Sequence, residues 1–235
     1  MKQLLFAERR RRDGKPRRKP GRKPAAYPAM PHAARPTHRK WNPLHITLRA
    51  IAGLPSFRQQ LLFAAFDRAV RTTRREDFRI VEHTIQADHV HLVVEADSKD
   101  ALARGMKSFS VRANRLFNVA SGRLRGKVWR DRYHRRDLTS PRQVRNALVY
   151  VLNNARKHCE ISLDGLVIDP CSSAPWFSGW SLPRSRAADG PPPGEVPRTA
   201  LLRSLWKKHG LIHPRETPNT SLRGTKSTPS ASRWT

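Results

Sequence analysis

Two histidines that lie two positions apart are the side chains of this sequence best placed for chemistry. His89 and His91 belong to the run Asp88–Val94, where Val90 and Leu92 alternate with them. Alternate residues of a β-strand point to the same face, so the two imidazoles project together while the valine and leucine face the core. Two imidazoles on one face form half of a divalent metal site. A pair of exposed or hydrogen-bonded histidines is the competing interpretation.

A second group of polar side chains recurs along a predicted helix near residue 150. The group consists of Tyr150, Asn153, Asn154 and Lys157. Residues three, four or seven positions apart share one helical face, so these side chains form a single stripe. A phenol, two carboxamides and an ammonium group on one face are unusual for a purely structural helix. The alternative is a solvated face with a partly buried tyrosine.

Together, the two groups predict a phosphoryl-transfer site. A tyrosine with its ordinary pKa of ~10 is a poor nucleophile near neutral pH and needs electropositive surroundings. A divalent ion held by His89 and His91 would polarise a scissile phosphate and orient it for in-line attack. Asn154 would add a carboxamide oxygen as the third metal ligand. Asn153 and Lys157 would hold the phosphate or assist proton transfer, and the product would be a covalent phosphotyrosine.

The elements that must position these residues follow from the hydrophobic periodicity, which predicts the order β-α-β-β-α-β-α. Two strand–helix–strand halves form a four-stranded antiparallel sheet with helices packed on one face. The sequence therefore predicts an α+β, ferredoxin-like fold, followed by a C-terminal helix that carries the polar stripe. The predicted strands are 45–49, 78–86, 89–96 and 127–138, and the predicted helices are 57–75, 98–116 and 141–158.

The charge of the chain indicates a polyanionic partner. Lys and Arg number 47 against 18 Asp and Glu, a net charge of +29 with a pI of about 11.7. This balance excludes an acidic or neutral metabolic enzyme as the default and favours nucleic acid as the partner. Residues 1–40 hold fourteen basic and two acidic residues, a net +12, interspersed with proline. Such a composition cannot bury a core, and it predicts a disordered polybasic arm.

Three segments follow from this distribution of charge and apolar residues. We expect a polybasic arm at 1–40, the predicted catalytic domain at 41–165 and an extension at 166–235. Within the extension, 191–194 is typical of a linker, 197–209 predicts one short helix, and 215–235 is expected to be unstructured. No segment reaches the ~18 apolar residues that span a bilayer, so we expect a cytoplasmic protein with no membrane partner.

The two motifs resemble those of the IS200-type single-tyrosine HUH transposases, in particular the REP-associated tyrosine transposases. The motifs are His-Val-His-Leu-Val at 89–93 and Tyr-Val-Leu-Asn-Asn at 150–154. The segment Lys-Val-Trp-Arg-Asp-Arg-Tyr-His at 127–134 is similar to the family's Trp-x-x-x-Tyr-His strand. The resemblance covers about residues 41–165. It implies a ferredoxin-like fold, cleavage and rejoining of single-stranded DNA, a Mg²⁺ or Mn²⁺ ion, and a bacterial, nucleoid-associated location.

Carried over by position, the resemblance makes Tyr150 the nucleophile and His89, His91 and Asn154 the metal ligands. The family usually continues Asn-Asn-Pro-Val-Lys, whereas this chain has Ala155 and an arginine before its lysine. We therefore expect the helix to continue undisturbed where family members bend. The arm and the extension are not part of the minimal transposase. The resemblance leaves open whether the protein is a monomer or a homodimer, and whether one chain or two complete the site.

Basic residues with interleaved aromatics are expected to surround the site and to hold single-stranded or hairpin DNA. Basic groups follow a phosphate backbone, and aromatic faces stack on unpaired bases. The residues assigned to this surface are Arg49, Lys107, Arg112, Arg115, Arg130, Arg132, Tyr133, Arg135 and Arg136.

Other functions fit the sequence less well. His45-Ile46-Thr47 is half of a two-histidine phosphoesterase signature, but the second half is not found at a suitable strand. A zinc site that adds His158 and Cys159 to the histidine pair is conceivable, although adjacent helical residues point about 100° apart. A noncatalytic nucleic-acid-binding module of ferredoxin-like fold, or a domesticated transposase, is a further alternative. An RNA-recognition sheet would carry aromatics on its central strands, where this sequence has the histidines.

Overall fold

The computed structural model of the protein describes residues 37–157, 168–182 and 190–217. The chain divides into two units, Met1–Ala33 and Ala34–Thr235, and all the described residues belong to the second. The first unit, which contains most of the predicted polybasic arm, lies outside the described residues. So do the end of the predicted helix at 158 and the segment 218–235. Among the described residues, no helix is both long and apolar enough to cross a membrane.

A four-stranded antiparallel sheet forms the centre of the second unit. Its strand order is β2-β3-β1-β4, and the three neighbouring pairs are all antiparallel. With helices between β1 and β2 and between β3 and β4, this is the ferredoxin-like order, and the predicted fold class is confirmed. The strands are β1 (Leu44–Arg49), β2 (Phe78–Ile85), β3 (His89–Ala96) and β4 (His134–Asp137).

The first face of the sheet is covered by α1 (Gln60–Thr72) and α2 (Lys99–Ala120). Alternate strand residues such as Ile46 and Leu92 are fully buried against these helices. The Ser98 side chain caps α2 by accepting the Ala101 N–H at 3.0 Å, as Ser at this position predicts. The buried apolar residues of this layer form one continuous core, so the first face is an ordinary packed interior.

The second face of the sheet is covered by α3 (Pro141–Leu152), the helix that carries Tyr150. Ser140 is its N-cap and accepts the Gln143 N–H at 3.3 Å, and Pro141 occupies the first turn, as the sequence predicts. The prediction of a helix that continues undisturbed to 158 is wrong. Asn153 leaves the helical conformation (φ −107°, ψ 16°), and a separate short helix, α4 (Asn154–Lys157), follows.

The extension packs beside α3 on this second face. The predicted single helix at 197–209 is two shorter elements, α5 (Ala200–Arg203) and a 3₁₀ helix at Leu205–His209, and a further 3₁₀ turn spans Ala174–Trp176. The buried extension residues that share a core with α3 are Ala174, Phe177, Trp180, Leu202, Trp206 and Ile212.

The segment at 191–194 is packed against the sheet, in contrast to the linker that its composition predicts. Arg71 of α1 donates to the Pro191 carbonyl at 3.0 Å, and the Glu195 N–H donates to the Ile80 carbonyl at 2.8 Å. A Cβ on Gly194 would lie 2.2 Å from the Val81 carbonyl oxygen, so only glycine permits this close approach. The extension is therefore held along the edge strand β2.

The predicted strand at 127–138 is regular only over its last third. β4 covers His134–Asp137, and Trp129 separately pairs with Ala50 beyond the end of β1. The Trp129 indole lies in the core of the first face and donates to the Ser110 carbonyl at 3.1 Å. The backbone therefore turns between these two attachments rather than remaining extended.

Candidate active site

His89 and His91 project from β3 onto the second face of the sheet, as the alternation predicts. Their rings are in contact, with centroids 4.8 Å apart, and only 7% and 4% of their surfaces are exposed. In the sheet register, Arg49 of β1 lies opposite His89 and Thr47 lies opposite His91. The pair is therefore buried. Of the competing interpretation, the exposed pair does not describe these residues, whereas a hydrogen-bonded pair does.

Each of these histidines is held through its Nδ1 atom. Asp88 Oδ1 lies 2.6 Å from Nδ1 of His89, and Thr47 Oγ1 lies 3.0 Å from Nδ1 of His91. Partners of this kind fix the tautomer and the orientation of an imidazole, as they do in metal sites. Burial raises the pKa of Asp88, but the hydrogen bond and charge of His89 outweigh it and lower the pKa overall. In both rings Nδ1 is therefore the nitrogen that holds the imidazole in place.

His45 of β1 is a third histidine in the cluster. Its Nε2 lies 3.2 Å from Nδ1 of His91, and the two ring centroids are 5.1 Å apart. Burial, followed by the neighbouring charges of His134 and Arg136, lowers the pKa of His45 to about 4. This imidazole is therefore neutral near pH 7, and it does not place a positive charge against the histidine pair.

Tyr150 of α3 lies against the same histidines. Its ring centroid is 4.9 Å from that of His91 and 5.5 Å from that of His45, both with edge-to-face geometry. The two motifs that the sequence singled out are thus brought into contact. Burial raises the pKa of the Tyr150 phenol, and the Arg49 charge only partly opposes this. The phenol is therefore protonated near neutral pH, and it needs help to act as a nucleophile.

Asn154 begins α4, directly after the interruption at Asn153, and its side chain is fully buried. Neither its Oδ1 nor its Nδ2 has a hydrogen-bond partner among the residues that the structure describes. A buried polar group without a partner costs free energy and calls for a ligand or another compensation. The amide oxygen has the chemistry of a donor to a cation.

No group of three or more His, Cys, Asp and Glu side chains within the described ranges is arranged to hold a metal. The alternative zinc site depends on residues 158 and 159, which lie outside those ranges.

Asn153, another residue of the predicted helical stripe, makes its side-chain contacts with the extension. The Asn153 side chain is buried and donates to the carbonyls of His213 at 3.2 Å and Glu216 at 2.8 Å. These contacts tie it to the extension rather than directing it to a phosphate. Lys157 belongs to α4, but its side chain lies outside the described part of the structure.

The predicted basic surface is divided between different sides of the sheet. Arg49 and Arg136 lie on strand positions that face the histidines. Arg135 alternates to the other face and forms an ion pair with Asp137, its Nε lying 3.0 Å from Oδ1. Arg130, Arg132 and Tyr133 lie in the turning segment before β4. The residues on α2, exposed and on the far side of the sheet from the histidines, are Lys107, Arg112 and Arg115.

Sequence reasoning did not assign His45 and Thr47 to the site. Both were visible in the His45-Ile46-Thr47 run, which has the same alternation as the histidine pair. Only the register of β1 against β3, which sets Thr47 opposite His91, shows that they belong together.

The fold and the site together define a ferredoxin-like protein whose second sheet face joins buried histidines to a tyrosine on a following helix. The family model described as "Transposase IS200 like" matches residues 44–154, which contain all of these elements. Over these residues the chain is similar to the IS200-like transposase family, and the resemblance inferred from its motifs is confirmed.

Two further comparisons complete this result. One similar solved structure is described as "Structure of the REP associates tyrosine transposase bound to a REP hairpin". It is 16% identical to this chain with a TM-score of 0.47, and the alignment covers 61% of this chain and 82% of that chain. The hairpin is a ligand of that protein. A comparison with curated proteins gave no match.

Proposed function

We propose that this IS200-like transposase cuts and rejoins single-stranded, hairpin-containing DNA through a covalent 5′-phosphotyrosine at Tyr150. The contact of the Tyr150 ring with His91, at 4.9 Å between centroids, is the observation that carries the proposal. A half-buried tyrosine beside the oriented imidazole of His91 and the neutral imidazole of His45 is an arrangement suited to attack on a metal-bound phosphate.

His89, His91 and Asn154 are the residues proposed to hold a Mg²⁺ or Mn²⁺ ion. Asp88 and Thr47 fix the two imidazole rings, and the buried amide of Asn154 lacks a partner among the described residues. A divalent ion supplies charge neutralisation at the scissile phosphate when it is bound. The raised pKa of Tyr150 supports the need for such a group, because burial alone disfavours the phenolate.

The proposed chemistry is an in-line exchange at phosphorus. The Tyr150 Oη forms a bond to the phosphorus atom as the bond to the 3′-oxygen of the preceding nucleotide breaks. The phenol loses its proton, and the departing oxygen gains one to become a 3′-hydroxyl. Attack of a 3′-hydroxyl on the phosphotyrosine reverses these changes and rejoins a strand. Lys157 keeps the phosphate-holding or auxiliary role predicted from the sequence. The Asn153 amide donates to the extension, so its auxiliary role would be to place the end of the helix.

The proposed DNA path runs over the basic groups nearest the histidines. Arg49 lies beside His89 in the sheet, and Arg136 lies on the same face next to His45. Arg130, Arg132 and Tyr133 would extend this path before β4, and Arg135 would contribute from the strand. The α2 residues, at 107, 112 and 115, would contact a distant part of the DNA, because they lie on the other side of the sheet.

The proposal is tested with a single-stranded, hairpin-bearing oligonucleotide labelled on its 3′ side and supplied with Mg²⁺ or Mn²⁺. We expect a protein–DNA band that survives denaturing electrophoresis, and its loss in Tyr150→Phe. Tyr27→Phe, which makes the same change outside the domain, is the matched control and should keep the band. A persistent band in Tyr150→Phe would refute the assignment, and DNA binding without any covalent band would favour a noncatalytic, domesticated protein.

A further inference from the structure

The residues 210–216 contact the helix that carries Tyr150 on both sides of that residue. We define this segment of the extension as the latch. Arg145, which precedes Tyr150 on α3, donates from Nε to the Gly210 carbonyl at 2.9 Å and from Nη2 to the Leu211 carbonyl at 3.1 Å. Its guanidinium also forms a two-pronged ion pair with Glu216, at 2.6 and 2.8 Å. One arginine thus bonds both ends of the latch.

The second attachment of the latch is at Asn153, which follows Tyr150. The Asn153 amide donates to the carbonyls of His213 and Glu216, at 3.2 and 2.8 Å. Asn153 is the residue at which α3 ends and α4 begins, so it sits between the residue proposed as nucleophile and the residue proposed as third ligand. The latch therefore hydrogen-bonds to the residue between α3 and α4. The conformation of that residue sets the position of Tyr150 relative to Asn154.

The latch has a rigid shape of its own. Its Ile212 is fully buried in the core of the second face and pairs with Trp180, donating to the Gly179 carbonyl at 3.0 Å. The Glu216 N–H donates to the His213 carbonyl at 2.9 Å, which closes a turn. A two-pronged arginine–carboxylate pair adds defined geometry as well as free energy. The bonds to α3 are thus made by a segment that is itself fixed.

We infer that Arg145, Asn153 and Glu216 are positioning residues, through which the latch holds Tyr150 against His91 and sets the angle between α3 and α4. The inference rests on the proposed function, because it concerns the geometry of that reaction. A displacement of about 1 Å at a reacting group can reduce a rate by about 10²-fold. Loss of the latch therefore lowers the cleavage rate at saturating DNA and leaves DNA affinity unchanged.

Arg71 provides a matched control for Arg145. It too is a helix arginine that pairs with an acid, Asp67, at 2.7 Å, and it donates to extension carbonyls at Pro191 and Pro192, at 3.0 and 3.3 Å. It lies on α1, away from the helix of Tyr150. Removal of either arginine loosens the extension, but only removal of Arg145 releases the tyrosine helix.

The experiment compares Arg145→Ala, Glu216→Gln and Arg71→Ala for cleavage rate, oligonucleotide affinity and melting temperature. We expect the first two to lower the rate at saturating DNA by at least about 10-fold, with Arg71→Ala close to the wild type. Arg145→Lys, which keeps the charge but not the two-pronged geometry, should fall between. Equal rates in Arg145→Ala and Arg71→Ala would overturn the inference. Glu216→Gln is nearly isosteric, so it keeps the test valid if Arg145→Ala does not fold.

A second measurement separates this inference from the proposed function. The chain has three tyrosines, so selective labelling gives a simple NMR spectrum in which Tyr150 can be assigned. Ring contacts between Tyr150 and His91 should be present in the wild type and Arg71→Ala and weakened in Arg145→Ala. If these contacts change as expected but no covalent DNA product forms, the proposed function fails and the latch stands. Contacts that survive in Arg145→Ala and Glu216→Gln would refute the latch.

Discussion

The two faces of the sheet are made from the same strands, yet they are held together in different ways. On the first face, α1 and α2 lie between the strands in sequence and bury apolar residues such as Leu92. On the second face, His89 and His91 occupy the alternate positions of the same strand. The apolar cover of this face is α3 together with extension residues such as Trp206, which lies more than fifty residues after α3.

This difference shows how one strand can serve stability and chemistry at once. On the first face, one apolar residue can be replaced by another of similar volume, because these residues only have to fill space without polar groups. Each buried imidazole on the second face needs a specific partner, which Asp88 supplies for His89 and Thr47 for His91. The structure of the second face therefore depends on contacts from more distant parts of the chain. Its histidines cannot be replaced by other residues of similar volume, because each needs its own hydrogen-bond partner.

The sharpest test of the comparison uses the adjacent residues His91 and Leu92. Loss of even an outer partner of a metal ligand costs about 10–100-fold, so His91→Ala should reduce cleavage by at least about 100-fold. Leu92→Ala, on the first face, should lower the free energy of unfolding by about 2–5 kcal/mol. Denaturant titration and single-turnover cleavage, measured on both variants, distinguish the two effects. The comparison fails if His91→Ala costs more stability than Leu92→Ala.

The partly buried carboxyl of Glu82 on the second face predicts a pH effect on stability. Burial raises the pKa of Glu82 from 4.5 to about 8, partly opposed by the hydrogen bond that Ser173 donates to it. Between these two values the folded state binds a proton that the unfolded state has released, so this group makes stability fall as pH rises. Glu82→Gln should therefore gain stability relative to the wild type as pH rises through this window.

Thermal unfolding of Glu82→Gln and the wild type across the same pH series measures this effect. The difference in melting temperature should be small at the acidic end and largest at the alkaline end. A difference that is constant with pH would mean that Glu82 titrates normally. Comparison with a variant is necessary, because burial lowers the pKa of His45 and His83, and these groups change stability in the opposite direction at acidic pH.

The smallest expected effect concerns the two serine caps, one on each face. Ser98 caps α2 and Ser140 caps α3, and alanine at either position should cost about 1 kcal/mol of stability. Only Ser140→Ala should also lower the cleavage rate, because α3 carries Tyr150. Equal cleavage by the two variants at matched stability would show that α3 does not need its first turn to present the tyrosine.

The sequence was sufficient to predict the parts of this protein that depend on local patterns. The alternation around His89 and His91 and the serine caps of α2 and α3 are local, and the structure has them as predicted. The helix end at Asn153 was missed because apolar spacing continues through it. The bond that accompanies the break comes from the latch, about sixty residues later, and no local pattern encodes it.

The extension and β4 were harder to predict because their structure also depends on contacts with residues that are far away in the sequence. Trp206 and Ile212 are fully or almost fully buried, but they stand among prolines and charges without a regular period. Their burial depends on a groove that exists only after α3 has packed on the sheet. In the predicted fourth strand, Trp129 packs into the core of the first face, and the regular strand is confined to His134–Asp137.

The two attachments of the segment before β4 have a consequence for the entropy of binding. Trp129 fixes one end through its pairing with Ala50 and its bond to Ser110, and β4 fixes the other through its ladder with β1. The arginines between them lose backbone freedom when the protein folds, not when a ligand arrives. A polyanion that binds to this loop does not have to order its backbone. Less of the contact free energy is then lost to conformational entropy, and the affinity is higher.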